Sequence, residues 1–127
     1  MKAELKKIAP AFTDARGDII DIFAGDLHHA GLLTFTDGAK RGNHYHKLQT
    51  QYTYMVSGKV EMKTKDSRDP AAKTETVVMV PGDFVTLPPL LIHAYRALEP
   101  SVMVCLTTRE RETAADYEAD TIRVDPL

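Results

Sequence analysis

Two histidines two residues apart, His44 and His46, carry the first chemistry in this chain. An extended strand points alternate side chains to one face, so both imidazoles aim the same way. Gln51 follows on the same stretch, and His93 arrives about fifty residues later behind Pro88-Pro89. Three imidazoles and one oxygen donor suit a divalent first-row metal such as zinc, iron, manganese or nickel. Such a set leaves coordination positions open for water or substrate. A glutamine carbonyl is neutral, so the metal would keep more positive charge and act as a stronger Lewis acid, at some cost in affinity. The competing expectation is a metal-free pocket in which the same histidines only hydrogen-bond.

Strand parity sorts the neighbours of these four residues. Tyr95, two beyond His93, shares its inward face and is a candidate catalytic phenol. Thr53 and Met55 follow Gln51 inward and are expected to shape a substrate-binding wall. Arg41 is expected to meet an anionic substrate group. Lys47 reads better as a solvated charge, and Tyr45 points to the opposite face and packs. His28 and His29 read as loop or strand-end residues.

These residues need a rigid support, and the pattern around them is β. Seven glycines and seven prolines punctuate short β-branched or aromatic runs, with few stretches of helical period. Strands are expected at Ile19–Phe23, Gly31–Phe35, Tyr52–Val56, Lys59–Lys63, Thr76–Val80, Phe84–Leu87, Ile92–Ala97 and Ser101–Thr107. Residues 64–74 are polar and contain a proline, which predicts an exposed hairpin loop. Only 109–117 reads as helical. About eight short strands separated by turns predict an all-β barrel or sandwich.

At 127 residues the chain is one domain, long enough to bury a core without disulfides. A net charge of −2 offers no electrostatic footprint for nucleic acid or an acidic membrane. The single cysteine, Cys105, sits in an apolar run and reads as a small buried hydrophobe that fits a reducing compartment. The first residues lack the apolar core of a signal peptide, and no run has the length of a membrane span. A cytoplasmic protein is the expectation. Small barrels expose sheet edges that a second copy can cover, so a homodimer is expected.

Two stretches then match a known pattern. Gly38, five residues, His44-x-His46, four residues, Gln51, six residues and Gly58 form the first; Gly82, five residues, Pro88 and His93 form the second. Together they resemble the two motifs of the cupin superfamily, which implies a double-stranded β-helix, or jelly-roll barrel. The resemblance covers residues 12–107 as the core barrel, leaving 108–127 as a C-terminal surface segment. Gln51 stands where the family usually has glutamate, and Leu90 where it usually has glycine. The resemblance implies metal ligation by His44, His46, Gln51 and His93.

Within that superfamily, Arg41-Gly-Asn-His-Tyr-His-Lys47 and Asp14-Ala-Arg-Gly17 are similar to the signatures of nucleotide-sugar ketoisomerases and epimerases, including the C-terminal cupin domain of capsule-forming reductases. That likeness implies enolisation of a 4-keto sugar carried on a nucleoside diphosphate. It implies a base at His44 in metal-free members, so ligand and base compete for one residue; if His44 binds metal, Tyr95 or a metal-bound hydroxide is left to move the proton. The same ligand set also suits a metal-dependent cupin dioxygenase, and a minimal barrel also suits a non-catalytic small-molecule binder.

Overall fold

The structure, a computed structural model, describes residues 1–109 and 114–127. Its strands are β1 (Glu4–Lys7), β2 (Phe12–Asp14), β3 (Gly17–Ile19), β4 (His29–Phe35), β5 (Lys40–His46) and β6 (Gln51–Ser57), then β7 (Val60–Asp66), β8 (Glu75–Met79), β9 (Asp83–Leu87), β10 (Leu91–Ala97) and β11 (Ser101–Thr107). A short helix, α1 (Ala114–Asp120), leads into β12 (Thr121–Arg123). The strands form two five-stranded sheets, ordered β1-β9-β6-β11-β4 and β12-β5-β10-β7-β8, with β2-β3 as a separate hairpin. The pairings are antiparallel. This is the expected all-β jelly roll.

Alternation along the strands fills the space between the sheets. On β6, Gln51, Thr53 and Met55 are buried while Tyr52 and Tyr54 are only half-buried. On β7, Val60, Met62 and Thr64 point inward. Four methionines, Met55, Met62, Met79 and Met103, are almost wholly buried beside Val85, Leu87 and Leu91. Unbranched thioethers adapt to the irregular gap between curved sheets. This packed core lies beside a cavity lined by residues of the same strands.

Several boundaries differ from the sequence expectation. The early strand ends at Ile19, in a hairpin with β2, and residues 20–23 continue outside it. Phe23 instead packs its ring 4.7 Å from Tyr52 and 6.5 Å from Phe84. Strand β7 runs on through Asp66, with Thr64 buried, so the exposed loop begins later than residue 64. The polar run there pairs with β10 at every position from Val60 to Asp66, and ladder bonds outweigh its low strand propensity. Of the expected helix at 109–117, residues 110–113 lie outside the described residues, and the helix present continues to Asp120. The expected C-terminal surface segment is in part a barrel element, because β12 pairs with β5 and buries Asp120 and Thr121. No helix of the described residues is long and apolar enough to cross a membrane.

Candidate functional site

Strand β5 presents His44 and His46 on its inner face, where they are 8% and 3% exposed. Strand β10 brings His93, 1% exposed, into register directly opposite His44. The register then shifts so that Asn43 of β5, at φ +58°, is left unpaired as a β-bulge beside the site. Gly42 permits the close pairing: its φ is +91°, and a Cβ there would lie 2.7 Å from the His93 carbonyl oxygen. Any other residue would push the two histidine-bearing strands apart.

The three rings converge. Their centroids lie 4.9 Å (His44–His46), 4.7 Å (His44–His93) and 5.5 Å (His46–His93) apart, and one ligand atom from each lies within 4.8 Å of the others. The triad could hold a metal ion. Burial holds His44 down to about 4, helped by the neighbouring His46 and by Arg123. Burial also pushes His93 well below its ordinary value, with His44 and His46 adding to the effect and the Leu91 carbonyl opposing it. Both rings are therefore neutral at pH 7, the form that donates a lone pair to a cation. The Nδ1 of His93 lies 3.4 Å from the Leu91 carbonyl and that of His46 lies 3.3 Å from Thr121 Oγ1. With Nδ1 so engaged, Nε2 is the nitrogen each ring offers to the centre.

Gln51 and Tyr95 complete the inner end. The Gln51 amide donates from Nε2 to the Tyr95 hydroxyl at 3.2 Å, and Thr53 Oγ1 lies 3.3 Å from the same oxygen. With its NH2 turned to Tyr95, Gln51 has its carbonyl oxygen left for a cation, so the donor set fits a hard or borderline metal. Tyr95 is 4% exposed and packs edge-on to Phe35 at 6.2 Å.

Above the triad opens a cavity of about 540 Å³. His44, His93, Gln51 and Tyr95 line its base, and Lys40, Arg41 and Arg123 bring three cationic side chains to it. No carboxylate lines it among the described residues. Arg41 donates to the Thr34 carbonyl at 2.9 Å and lies over the Phe35 ring at 5.2 Å, which fixes its stem near the rim. Arg123 pairs with Glu118 at 2.8 Å.

The structure thus gathers His44, His46, Gln51, His93, Tyr95 and Arg41 as expected. Two wall residues are corrected. Met55 is wholly buried in the hydrophobic core and does not line the cavity. Thr53 is also wholly buried and acts on the site only through Tyr95. Lys47 is exposed and away from the lining, and Tyr45 faces outward opposite Ile122. His29 is a strand-end residue, the first of β4, and it also lines the cavity, with its buried Nδ1 lacking a hydrogen-bond partner among the described residues. Cys105, Gln49 and Arg123 also line it. Arg123 carried no local signal; only the return of β12 to β5 brings it there.

A cupin-domain profile matches residues 31–108, and the chain belongs to the cupin family. No curated protein matches the chain by sequence. Among solved structures it resembles the QdtA 3,4-ketoisomerase of Thermoanaerobacterium thermosaccharolyticum in complex with TDP, at 23% identity and a TM-score of 0.77, over 96% of this chain and 87% of that one. It also resembles ChmJ, a 3′-monoepimerase of Streptomyces bikiniensis in complex with dTDP-quinovose, at 22% identity and a TM-score of 0.82, over 98% of this chain and 70% of that one. The dTDP-4-dehydrorhamnose 3,5-epimerase of Sulfolobus tokodaii matches at 18% identity and a TM-score of 0.78, over 97% of this chain and 77% of that one. At these identities the likeness speaks for the fold.

Proposed function

We infer that this cupin is a nucleotide-sugar ketoisomerase or epimerase, working by enolisation beside the ketone of a sugar carried on a nucleoside diphosphate. One observation carries the reading: two buried neutral imidazoles, His44 and His93, and a phenol share a cavity whose charged lining is cationic only. A diphosphate suits Lys40, Arg41 and Arg123, and arginine matches phosphate oxygens bidentately. The cavity volume falls in the range that encloses small ligands. Relatives of the same fold were solved with TDP or dTDP-quinovose bound.

In this reading His44, His46 and His93, with the Gln51 carbonyl, hold a divalent transition metal. When bound, such an ion polarises a carbonyl and stabilises charge developing on its oxygen. Acidity favours the ligand role over the base role at His44. A ring held near 4 retains an abstracted proton poorly at neutral pH, whereas a metal ligand must be neutral. Proton transfer at the carbon beside the ketone then falls to Tyr95. Its hydroxyl is oriented by Gln51 and Thr53 at the cavity wall.

The reading includes a homodimer, in which a second copy covers the exposed Phe12 and Ile19 of the β2-β3 hairpin, and a cytoplasmic setting where buried Cys105 stays reduced. The test is incubation with TDP-4-keto-6-deoxyglucose under an oxygen electrode. An isomeric keto-sugar forming without oxygen uptake supports the reading. Oxygen consumption would point to a dioxygenase, and thermal stabilisation alone to a binding protein.

A further inference from the structure

The end of α1 and the start of β12 contact the site from outside the cavity. Thr121 pairs with His46 across the β12-β5 ladder, and both side chains are buried. Its Oγ1 lies 3.3 Å from His46 Nδ1. One residue earlier, Asp120 holds three consecutive backbone amides. Its carbonyl accepts from Lys47 N at 3.0 Å, Oδ1 from Leu48 N at 2.9 Å and Oδ2 from Gln49 N at 3.2 Å. These amides form the bend between His46, which ends β5, and Gln51, which begins β6.

Asp120 is poorly placed by local rules. It closes a helix whose last turn carries no basic residue, where the macrodipole disfavours a negative charge. It is also 7% exposed, so the carboxylate has lost most of its water. Two amide donors offset that cost, and both belong to the bend rather than to the helix. A side chain that breaks local rules while fully engaged elsewhere marks a functional constraint.

We propose that Asp120 and Thr121 form a C-terminal latch of positioning residues: Thr121 accepts the His46 Nδ1 proton and so aims Nε2 at the triad, and Asp120 fixes the bend that sets Gln51 against it. The proposal deepens the metal-site reading given above and rests on it for its functional consequence. It also explains why β12 matters to the cavity: the strand that delivers Arg123 is locked in register by the residues that orient His46.

The test uses the full chain. Long-range ¹H–¹⁵N correlation on the metal-free protein reports which ring nitrogen of His46 carries the proton, and titration with Co(II) alone reports affinity through visible absorption. Wild-type His46 is expected as the Nδ1-protonated tautomer. Thr121→Val is expected to mix the tautomers and weaken Co(II) binding by about 10–100-fold, the usual loss when a ligand's outer partner is removed. Thr121→Ser should restore both. Thr121→Ala, which adds no bulk, serves if the valine variant does not fold. An unchanged tautomer and affinity without the hydroxyl overturns the role of Thr121, as does an equal loss in the serine variant. Asp120→Asn is expected to speed amide hydrogen exchange at Leu48 and Gln49 by about tenfold or more, since a charge-assisted bond becomes a neutral one. Unchanged exchange overturns the role of Asp120. If the wild-type protein takes up no Co(II), the metal reading fails, while the tautomer and exchange data still decide the latch.

Discussion

Acid should unfold the metal-free protein through two buried imidazoles. His44 is held at about 4 and His93 well below its ordinary value, in both cases chiefly because burial disfavours the charged ring. In the unfolded chain each histidine titrates near 6.5. Below that value the unfolded state binds protons that the folded state refuses. Stability is therefore complete above about pH 7 and falls as pH drops through the window from about 6.5 to about 4. His44 removes about 1.4 kcal/mol per pH unit inside that window, and His93 acts in the same direction. By pH 4 the loss is on the order of 3 kcal/mol from His44, with His93 adding in the same direction, against a total of roughly 5–15 kcal/mol for a typical domain. Asp14 and Asp66 act elsewhere. Hydrogen bonds from Arg16 and Arg68 hold their carboxyls below the usual range, so what they contribute is lost only under more acid conditions. The assay is urea unfolding followed by circular dichroism, in chelator, at pH values between 7.5 and 4.5. The midpoint should fall steeply below about pH 6.5, and His93→Asn should make that fall shallower. A wild-type midpoint that stays flat to pH 4.5 would refute the claim that both rings are buried neutral.

Three further outcomes follow from the same geometry. His46→Ala and His93→Ala should each abolish metal uptake, read by elemental analysis, while circular dichroism keeps its β signature; full metal content in both would remove them from the ligand set. Tyr95→Phe should cut turnover about 10²–10⁴-fold, the scale of a lost proton-transfer group. It should also lower stability by about 1–3 kcal/mol, because Gln51 Nε2 and Thr53 Oγ1 lose their shared partner. Arg123→Gln should weaken TDP binding by roughly tenfold at low salt and less at high salt, as a charge-assisted phosphate contact would. Calorimetry showing equal affinity at both salts would exclude Arg123 from the diphosphate site.

Much of the site was legible because it obeys local rules. His44 and His46 share a face by strand parity, and the resemblance to the two cupin motifs placed His93 and Gln51 with them. Tyr95 followed from the same parity. Parity, however, gives the face and not the depth. Gln51, Thr53 and Met55 all point inward from β6, yet only Gln51 reaches the cavity, because the barrel narrows into a methionine-rich core beneath it. His29 could be read only as a strand end, since a His28-His29 pair has no parity until the start of β4 is known. Asp120, Thr121 and Arg123 were missed for a different reason: β12 is short, carries a charge, and finds its partner β5 about eighty residues back. Nothing local announces such a pairing.

The claim at the centre of this account is that the cavity makes and breaks a carbon–hydrogen bond beside a sugar ketone. Proton NMR of TDP-4-keto-6-deoxyglucose in D2O with the metal-loaded protein tests it directly. The account predicts that a ring proton adjacent to the ketone disappears as deuterium enters from solvent, without oxygen uptake, and that Tyr95→Phe slows the loss. Full retention of the protons on both carbons beside the ketone, in a sample that demonstrably binds the nucleotide sugar, would contradict it.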